Sequence, residues 1–175
     1  RAVLSSGVCA KDTSNVVTVT VSPAAVGGTV SGNATVCTGT NSSLLTLSSY
    51  TGIVSKWQYS TSATFSSGVT DINNITDSFT AQNLVASTYY RAVIVSGACT
   101  AYSNPALVTV NPASVAGTIS GASTLCTGTN RDTLTVSGYT GTIQWQSSAN
   151  DTTYTNLIGA TNATYNPVNL SSSTY

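Results

Sequence analysis

Short stretches in which polar and apolar residues alternate recur along the chain. Residues 16–21 alternate valine with threonine, and residues 106–110 carry a closely similar run. A period of two is typical of a half-buried β-strand, because successive side chains point to opposite faces of the sheet. Further strand-like runs lie at residues 44–47, 53–59 and 89–95, and glycine-containing turn signals separate them at 27–28, 38–39, 51–52 and 67–68. The pattern predicts an all-β fold.

The sequence also repeats itself after 89 residues. Residues 23–32 recur as 112–121, and residues 37–41 recur as 126–130. Trp57 recurs as Trp145, at an offset that is shorter by one residue. Self-similarity at a fixed period is the signature of a repeat architecture in which each repeat is one structural unit.

The two ends of the chain carry the same repeat in a shifted phase. Residues 1–3 match 91–93, and residues 173–175 match 87–89. We therefore expect a piece of a longer protein with three parts. They are the C-terminal strands of a preceding repeat (1–22), a complete repeat (23–111) and the first two-thirds of the next repeat (112–175).

The cysteines and tryptophans indicate the kind of sandwich. Cys37 and Cys99 flank Trp57, which is the order found in immunoglobulin-type domains, where the tryptophan packs against a bridge between two sheets. The prediction is tandem immunoglobulin-like β-sandwich repeats of about 89 residues, each with one disulfide, and with Trp57 and Trp145 in the cores. A Cys37–Cys99 bridge would stabilise the repeat by about 4 kcal/mol and would imply an oxidising, extracellular location.

The remaining two cysteines belong to the incomplete repeats. We expect residues 1–22 of one copy to complete the sandwich that residues 112–175 begin in its neighbour, so that Cys9 pairs with Cys126 between neighbouring copies. Covalent continuity of a longer protein and strand donation between subunits both achieve this. The alternative is a chain that folds back so that Cys9 meets Cys126 within one molecule.

Two longer motifs carry a resemblance to a known group of proteins. One runs from Gly117 through Cys126 to Gln146, and the other runs from Thr88 through Arg91 to Cys99. Their order is similar to the immunoglobulin-like repeats of large secreted surface proteins of the Bacteroidota, the flavobacteria and their relatives. The resemblance implies a structural or adhesive role at the bacterial cell surface or in the secreted medium, in a rod or filament. The chain departs from antibody domains at position 97, where glycine replaces the tyrosine of the tyrosine corner.

Charge is scarce, and hydroxyl groups replace it. Lysine and arginine number five, aspartate numbers five, and serine and threonine together number 58 of the 175 residues. Such a surface does not attract nucleic acid or anionic lipid, and it offers little repulsion between copies. No apolar run approaches the roughly 20 residues of a membrane-spanning helix. The expected partners are neighbouring repeats or copies of the same protein, together with surface glycans, and not nucleic acid or the membrane interior.

The chemistry of an enzyme is missing from the composition. Histidine and glutamate are absent, so Ser–His and Cys–His catalytic pairs are excluded. We predict no enzymatic activity, no cofactor and no metal. The alternative at Asp71–Asp77, where aspartates and asparagines are closely spaced, is a calcium site.

Tyrosines and threonines leave two further possibilities open. Exposed tyrosines stack on sugars, although packing between strands is their commoner role. The candidates are Tyr50, Tyr59, Tyr139, Tyr154 and Tyr165, and they underlie the alternative function, a carbohydrate-binding immunoglobulin-like module of a secreted enzyme. Thr133 and Thr152 each follow an aspartate in a motif that resembles the O-glycosylation site of the Bacteroidota.

Overall fold

The computed structural model describes all residues from Arg1 to Tyr175, and its regular structure is entirely β. The prediction of an all-β chain is confirmed. No helix in it is long and apolar enough to span a membrane. The chain divides into two compact units, Arg1–Val110 and Asn111–Tyr175.

Sixteen strands follow one another along the chain. The first unit and the residue that follows it contain β1 (Val3–Leu4), β2 (Asp12–Thr13), β3 (Thr29–Ser31), β4 (Ala34–Cys37), β5 (Ser42–Ser48), β6 (Ile53–Ser60), β7 (Thr70–Ile72), β8 (Ser78–Gln82), β9 (Thr88–Ser96), β10 (Cys99–Tyr102) and β11 (Ala106–Asn111). The second unit contains β12 (Thr118–Ser120), β13 (Leu134–Ser137), β14 (Gln146–Ser147), β15 (Thr155–Asn156) and β16 (Thr164–Tyr165).

The complete repeat is a two-layer β-sandwich. One sheet has the order β3-β5-β8, and the other has the order β4-β11-β9-β6-β7, with β10 also paired to β9. Leu45 and Leu47 from the first sheet share one apolar core with Ile94 and Val108 from the second. In β5 the alternation of buried and exposed residues is complete, because one face meets the core and the other meets solvent.

Trp57 lies at the centre of this core and is 0% exposed. Its indole N–H donates a hydrogen bond to the Thr76 carbonyl at 2.9 Å, so its one polar atom is satisfied. The Phe79 ring lies 6.0 Å from that of Trp57 and 5.6 Å from that of Tyr90. Aromatic packing therefore fills the place where a disulfide was expected.

The second unit forms ladders in the same register as the first. Val30 pairs with Leu47 in the first unit, and Ile119 pairs with Val136 in the second, so both partners shift by 89 residues. Trp145 is 7% exposed, and its indole N–H donates to the Asn162 carbonyl at 2.8 Å, as Trp57 does to Thr76. The same local sequence thus produces the same local hydrogen bonding in both units.

Residues 16–21, predicted as a strand, form no strand in the structure. Their alternation is correct for a strand, but a strand also needs a neighbour that accepts and donates its backbone hydrogen bonds. No neighbouring strand faces them, and the segment is exposed along its whole length.

The predicted disulfide between Cys37 and Cys99 is wrong, because all four cysteines are free and exposed thiols. The loop after Cys37 contacts the segment before β9, where Gly39 N–H donates to the Leu84 carbonyl at 3.2 Å. Cys99 pairs instead with Ser96, the last residue of β9. The nine residues of β9 span about 26 Å, whereas a disulfide requires Cα atoms about 4.4–6.8 Å apart.

The same exposure applies to Cys9 and Cys126, which are free thiols in the single chain. Their predicted pairing concerns two neighbouring copies and stays a prediction. Cys126 occupies the position of Cys37, and Cys9 occupies that of Cys99.

Candidate interaction surface

The segment formed by residues 16–21 exposes apolar side chains that the complete repeat buries. Val17 is 73% exposed and Val19 is 86% exposed. Their counterparts 89 residues later are Ala106 and Val108 of β11, and both are 0% exposed. The segment therefore has the inward-facing side chains of a central strand but no sheet to cover them.

The residues before this segment already form the matching hairpin. β1 and β2 pair with Val3 opposite Thr13 and Leu4 opposite Asp12. In the complete repeat, β9 and β10 pair with Val93 opposite Tyr102 and Ile94 opposite Ala101. The register is the same, so residues 1–13 fold as the hairpin near the end of the complete repeat does.

The second unit and residues 1–22 hold complementary strands. The second unit contains counterparts of β3, β5, β6, β7 and β8, and residues 1–22 hold the counterparts of β9, β10 and the β11 sequence. Ile119 is 61% exposed, whereas its counterpart Val30 is 6% exposed. The two ends of the chain therefore carry the two parts of one repeat.

Tyr175 occupies the position that Tyr89 has in β9. It exchanges two backbone hydrogen bonds with Ser148, at 2.8 and 2.9 Å. The counterparts Tyr89 and Ser60 are partners in the β6–β9 ladder of the complete repeat. The pairing of a β9-type strand therefore begins at Tyr175 in the register of the complete repeat.

One position differs between the two repeats at this surface. Gly27 lies so close to the Tyr102 carbonyl that a Cβ atom at Gly27 would overlap it. The counterpart of Gly27 in the second unit is Ala116. A strand that completes the second unit must therefore stand farther from residue 116 than β10 stands from Gly27.

In the complete repeat, a side-chain amide fixes the loop that follows β4. Asn41 donates to the carbonyls of Cys37 and Leu84, both at 2.8 Å, and accepts from Leu84 N–H at 2.9 Å. Asn130 makes the same three bonds to Cys126 and Leu170 in the second unit. The recurring Cys-Thr-Gly-Thr-Asn sequence thus builds a rigid loop that presents an exposed cysteine.

The candidate glycosylation threonines are both exposed, Thr133 directly before β13 and Thr152 in the bend between β14 and β15. The Thr133 hydroxyl donates to the Asn166 side chain at 2.9 Å, and Thr152 N–H donates to the Asn150 side chain at 3.1 Å. Among the candidate tyrosines, Tyr165 packs on Trp145 with ring centroids 5.7 Å apart, and Tyr50 packs against the core of the complete repeat. Tyr59, Tyr139 and Tyr154 are the more exposed members of the set.

The carboxylate of Asp71 is occupied by protein donors. Lys56 donates to one of its oxygens at 2.6 Å, and Gln58 donates to the other at 2.7 Å. The hydrogen bonds from Lys56 and then Gln58 hold the pKa of Asp71 below its usual value. Asn74 likewise accepts from Thr76 N–H at 2.8 Å, so two of the side chains proposed for calcium, those of Asp71 and Asn74, are used within the fold.

This ion pair leads to a prediction for acid pH. A carboxyl whose folded pKa lies below its unfolded value of 3.8 stabilises the fold above that pH, and loses this contribution as pH falls through the folded pKa. We expect NMR titration to give Asp71 a pKa below 3.8 and the Lys56→Met variant to move it upward. The control is Lys11→Met, which removes a lysine of the first hairpin. An Asp71 titration unchanged by Lys56→Met would contradict the assignment.

Sequence reasoning did not identify the environment of Arg91. Its guanidinium lies 4.2 Å from the Phe65 ring centroid and 4.0 Å from that of Tyr102, and its Nε donates to the Gln58 side chain at 2.9 Å. Arginine between two rings gains cation–π energy on both faces. The recurrence of Arg91 as Arg1 was the available signal, but the partners are distant in sequence.

A cleft of about 300 Å³ opens between the two sheets of the complete repeat. Tyr59, Phe79, Leu84 and Tyr90 supply its apolar wall, and Gln82 and Thr88 supply polar groups. Tyr59 is the exposed ring at its mouth and lies 6.1 Å from Tyr90.

Comparison with known proteins finds one family model that matches the chain twice. Residues 26–112 and 115–175 match the model of a family described as a domain of unknown function, DUF8696. No curated protein matches the chain.

Proposed function

We propose that this chain, which belongs to the DUF8696 family, is a non-catalytic structural or adhesive segment of an extracellular repeat protein. Its modules are immunoglobulin-like sandwiches joined end to end into a rod or filament. Residues 1–22 of one copy complete the module that residues 112–175 begin in the neighbouring copy.

The observation that carries this proposal is that the two ends of the chain hold complementary strands of one repeat. Residues 112–175 hold counterparts of β3 and β5–β8, and residues 1–22 hold counterparts of β9–β11, with Val17 and Val19 exposed. Adding an extended segment to an open sheet edge satisfies backbone hydrogen bonds and buries alternate side chains. Fully burying one valine contributes about 1.5–3 kcal/mol, so Val17 and Val19 together give a substantial driving force.

The strand order of the complete repeat supports the immunoglobulin-like assignment. β3, β5 and β8 form one sheet, and the sheet β4-β11-β9-β6-β7 faces them across a common core. An aligned sandwich with seven to nine strands and a buried tryptophan on a central strand is the architecture of that class. The disulfide of antibody domains is replaced here by the packing around Trp57.

The position of the module's ends supports a linear array. The first bridge of the repeat joins Val26 to Thr51 beside the end of β9, and β11 leaves the repeat beyond the start of β9. The chain therefore enters at one pole and leaves at the other. Few residues separate β11 from β12, and prolines at 23 and 112 restrict the connection, which favours a semi-rigid rod.

Sedimentation and electron microscopy of the intact chain test this proposal under reducing conditions. We expect species larger than the 17.7 kDa monomer and elongated particles whose length increases in steps. Val19→Asp places a charge on the inward face of the donated strand and should leave only monomers. The matched control is Thr20→Asp, whose counterpart Thr109 is half-buried, and it should still assemble. Compact monomers of the unmodified chain at high concentration would contradict strand completion.

The cleft beside Tyr59 favours a second candidate function, the carbohydrate-binding module of a secreted enzyme. An exposed aromatic ring with neighbouring polar groups is a suitable platform for a sugar ring. Titration with a panel of plant and bacterial polysaccharides would then shift NMR signals of Tyr59 and Thr88, and Tyr59→Ala would abolish the shifts. Absence of any shift across the panel would remove this candidate.

A further inference from the structure

We propose that the cysteines join successive modules to one another instead of closing each module internally. A cysteine at the position of Cys37 bonds the cysteine at the position of Cys99 in the module that follows. This inference rests on the modular array proposed above and adds its covalent connection. It replaces the predicted Cys9–Cys126 pair, because that pair would close one module internally.

The two thiols of the complete repeat lie at opposite poles, which are the ends of the sandwich where the chain enters and leaves. Cys37 ends β4 at the pole where the chain leaves, and Cys99 begins β10 at the pole where the chain enters. Both side chains are exposed. A cysteine at each pole of every module places two thiols at every junction of a linear array.

The strand beside Cys37 is β11. β4 neighbours β11, and a parallel bridge joins Thr29 to Asn104 just before the two strands begin. Leu107 N–H then donates to the Asn33 side chain at 2.9 Å, so both chains advance in the same direction. Continuing this offset of about 74 residues sets Cys37 beside Asn111, the last residue of β11, since adjacent strands keep a constant register.

Ser22 is the counterpart of Asn111 in the preceding repeat. Ser22 is half-buried against the turn of the β9–β10 hairpin, and a Cβ atom at Gly97 would overlap its side chain. Gly97 also has a φ of +57°, which a glycine adopts without strain. Cys99 follows Gly97 by two residues.

Ser22 therefore lies near both cysteines of the proposed bond. Its correspondence with Asn111 places it beside the Cys37-type cysteine of the module that ends with Ser22. Its contact with Gly97 places it beside the hairpin that carries Cys99. Adjacent strands are about 4.8 Å apart, so the Cys37-type cysteine lies one strand spacing from Ser22, and Cys99 lies two residues beyond the glycine that Ser22 contacts.

This pairing rule also accounts for four free thiols in one chain. Cys9 and Cys99 would bond modules that precede theirs, and Cys37 and Cys126 would bond modules that follow theirs, so no bond has both of its partners in residues 1–175. Each bond forms when two thiols lose two electrons and two protons to a low-molecular-weight disulfide, which is reduced to two thiols.

A tandem of two full chains, joined through one tyrosine at the position of Tyr90, tests this inference. The join supplies a complete module from residues 112–175 of the first copy and residues 1–22 of the second. After oxidation with glutathione disulfide at low protein concentration, non-reducing peptide mapping should give Cys37 of the first copy bonded to Cys9 of the second, and Cys126 of the first bonded to Cys99 of the second. Thiol titration should fall from eight groups to four, because each copy has four cysteines.

Variants and a reduced sample separate the two proposals. Cys37→Ser in the first copy should remove only the bond to Cys9, and Cys126→Ser should remove only the bond to Cys99. Under reduction, hydrogen exchange at Asn15 of the second copy reports whether the joined module has formed, because its counterpart Asn104 donates its N–H to the Gly28 carbonyl at 3.2 Å. If this amide stays unprotected, the proposed array is wrong. If it is protected but the thiols stay free, or Cys37 bonds Cys99 of its own copy, only the inter-module bond is wrong.

Discussion

Val108→Asp is expected to unfold the complete repeat, whereas the same replacement at Val19, its repeat counterpart, should leave the stability of that repeat unchanged. Val108 is fully buried in β11 and pairs with Thr88 of β9. The variant loses about 1.5–3 kcal/mol of apolar burial, and the penalty of a buried, unpaired carboxylate adds to it. Domains are stable by only about 5–15 kcal/mol, so the sum approaches or exceeds the whole.

Val19 is 86% exposed, so aspartate there replaces an apolar group that already faces water. Surface substitutions of this kind change the free energy of unfolding by about 0.5 kcal/mol or less. Urea unfolding followed by Trp57 fluorescence, in a Trp145→Phe background, measures both variants. Equal destabilisation by Val19→Asp and Val108→Asp would show that residues 16–21 pack within their own molecule.

Trp57→Ala should destabilise the complete repeat by about 3–5 kcal/mol, the usual cost of removing a fully buried large aromatic side chain. The change removes the hydrogen bond to Thr76 and the packing on Phe79, and no disulfide compensates for the loss. The free energy of unfolding in urea, followed by circular dichroism, gives the magnitude.

Two variants control this measurement. Trp57→Phe keeps most of the volume and should cost clearly less than the alanine variant. Trp145→Ala should lower the stability of the second unit without changing that of the first, because the two units have separate cores. A loss smaller than about 1 kcal/mol in Trp57→Ala would mean that the core does not depend on this residue.

The fold class followed from side-chain alternation because burial on one face of a strand is a local property of the sequence. Residues 44–47 lie within β5, and residues 53–59 lie within β6. Residues 16–21 have an equally good pattern but form no strand, since strand formation depends on a partner elsewhere in the chain or in another copy. Alternation therefore identifies the face of a strand but not the presence of its neighbour.

The error at Cys37 and Cys99 has a similar origin. The order Cys-Trp-Cys is preserved, but it does not say whether each cysteine lies on the inner face of a central strand or beyond its end. Cys37 precedes β5, and Cys99 follows β9, so neither reaches the core that Leu45 and Ala92 occupy. The Thr-Gly sequence after Cys37 was the available signal, because a turn there excludes Cys37 from the middle of a strand.

The candidate surface was accessible to sequence reasoning only through the repeat. Matching residues 1–22 to the end of the complete repeat predicted which strand types they hold, and the structure added their exposure and the register of the β1–β2 hairpin. The contact between Ser22 and Gly97 had no signal in the sequence, because it depends on how the chain enters the sandwich.

Ala116 carries a methyl group where Gly27 carries none, so the two repeats differ in the space that they leave for a neighbouring strand. At Gly27 the facing carbonyl leaves no room for a side chain, so the β9–β10 hairpin fits its own repeat and would be obstructed on the other. Anyone who shortens, reorders or recombines these repeats would have to restore glycine at 116 before grafting that hairpin.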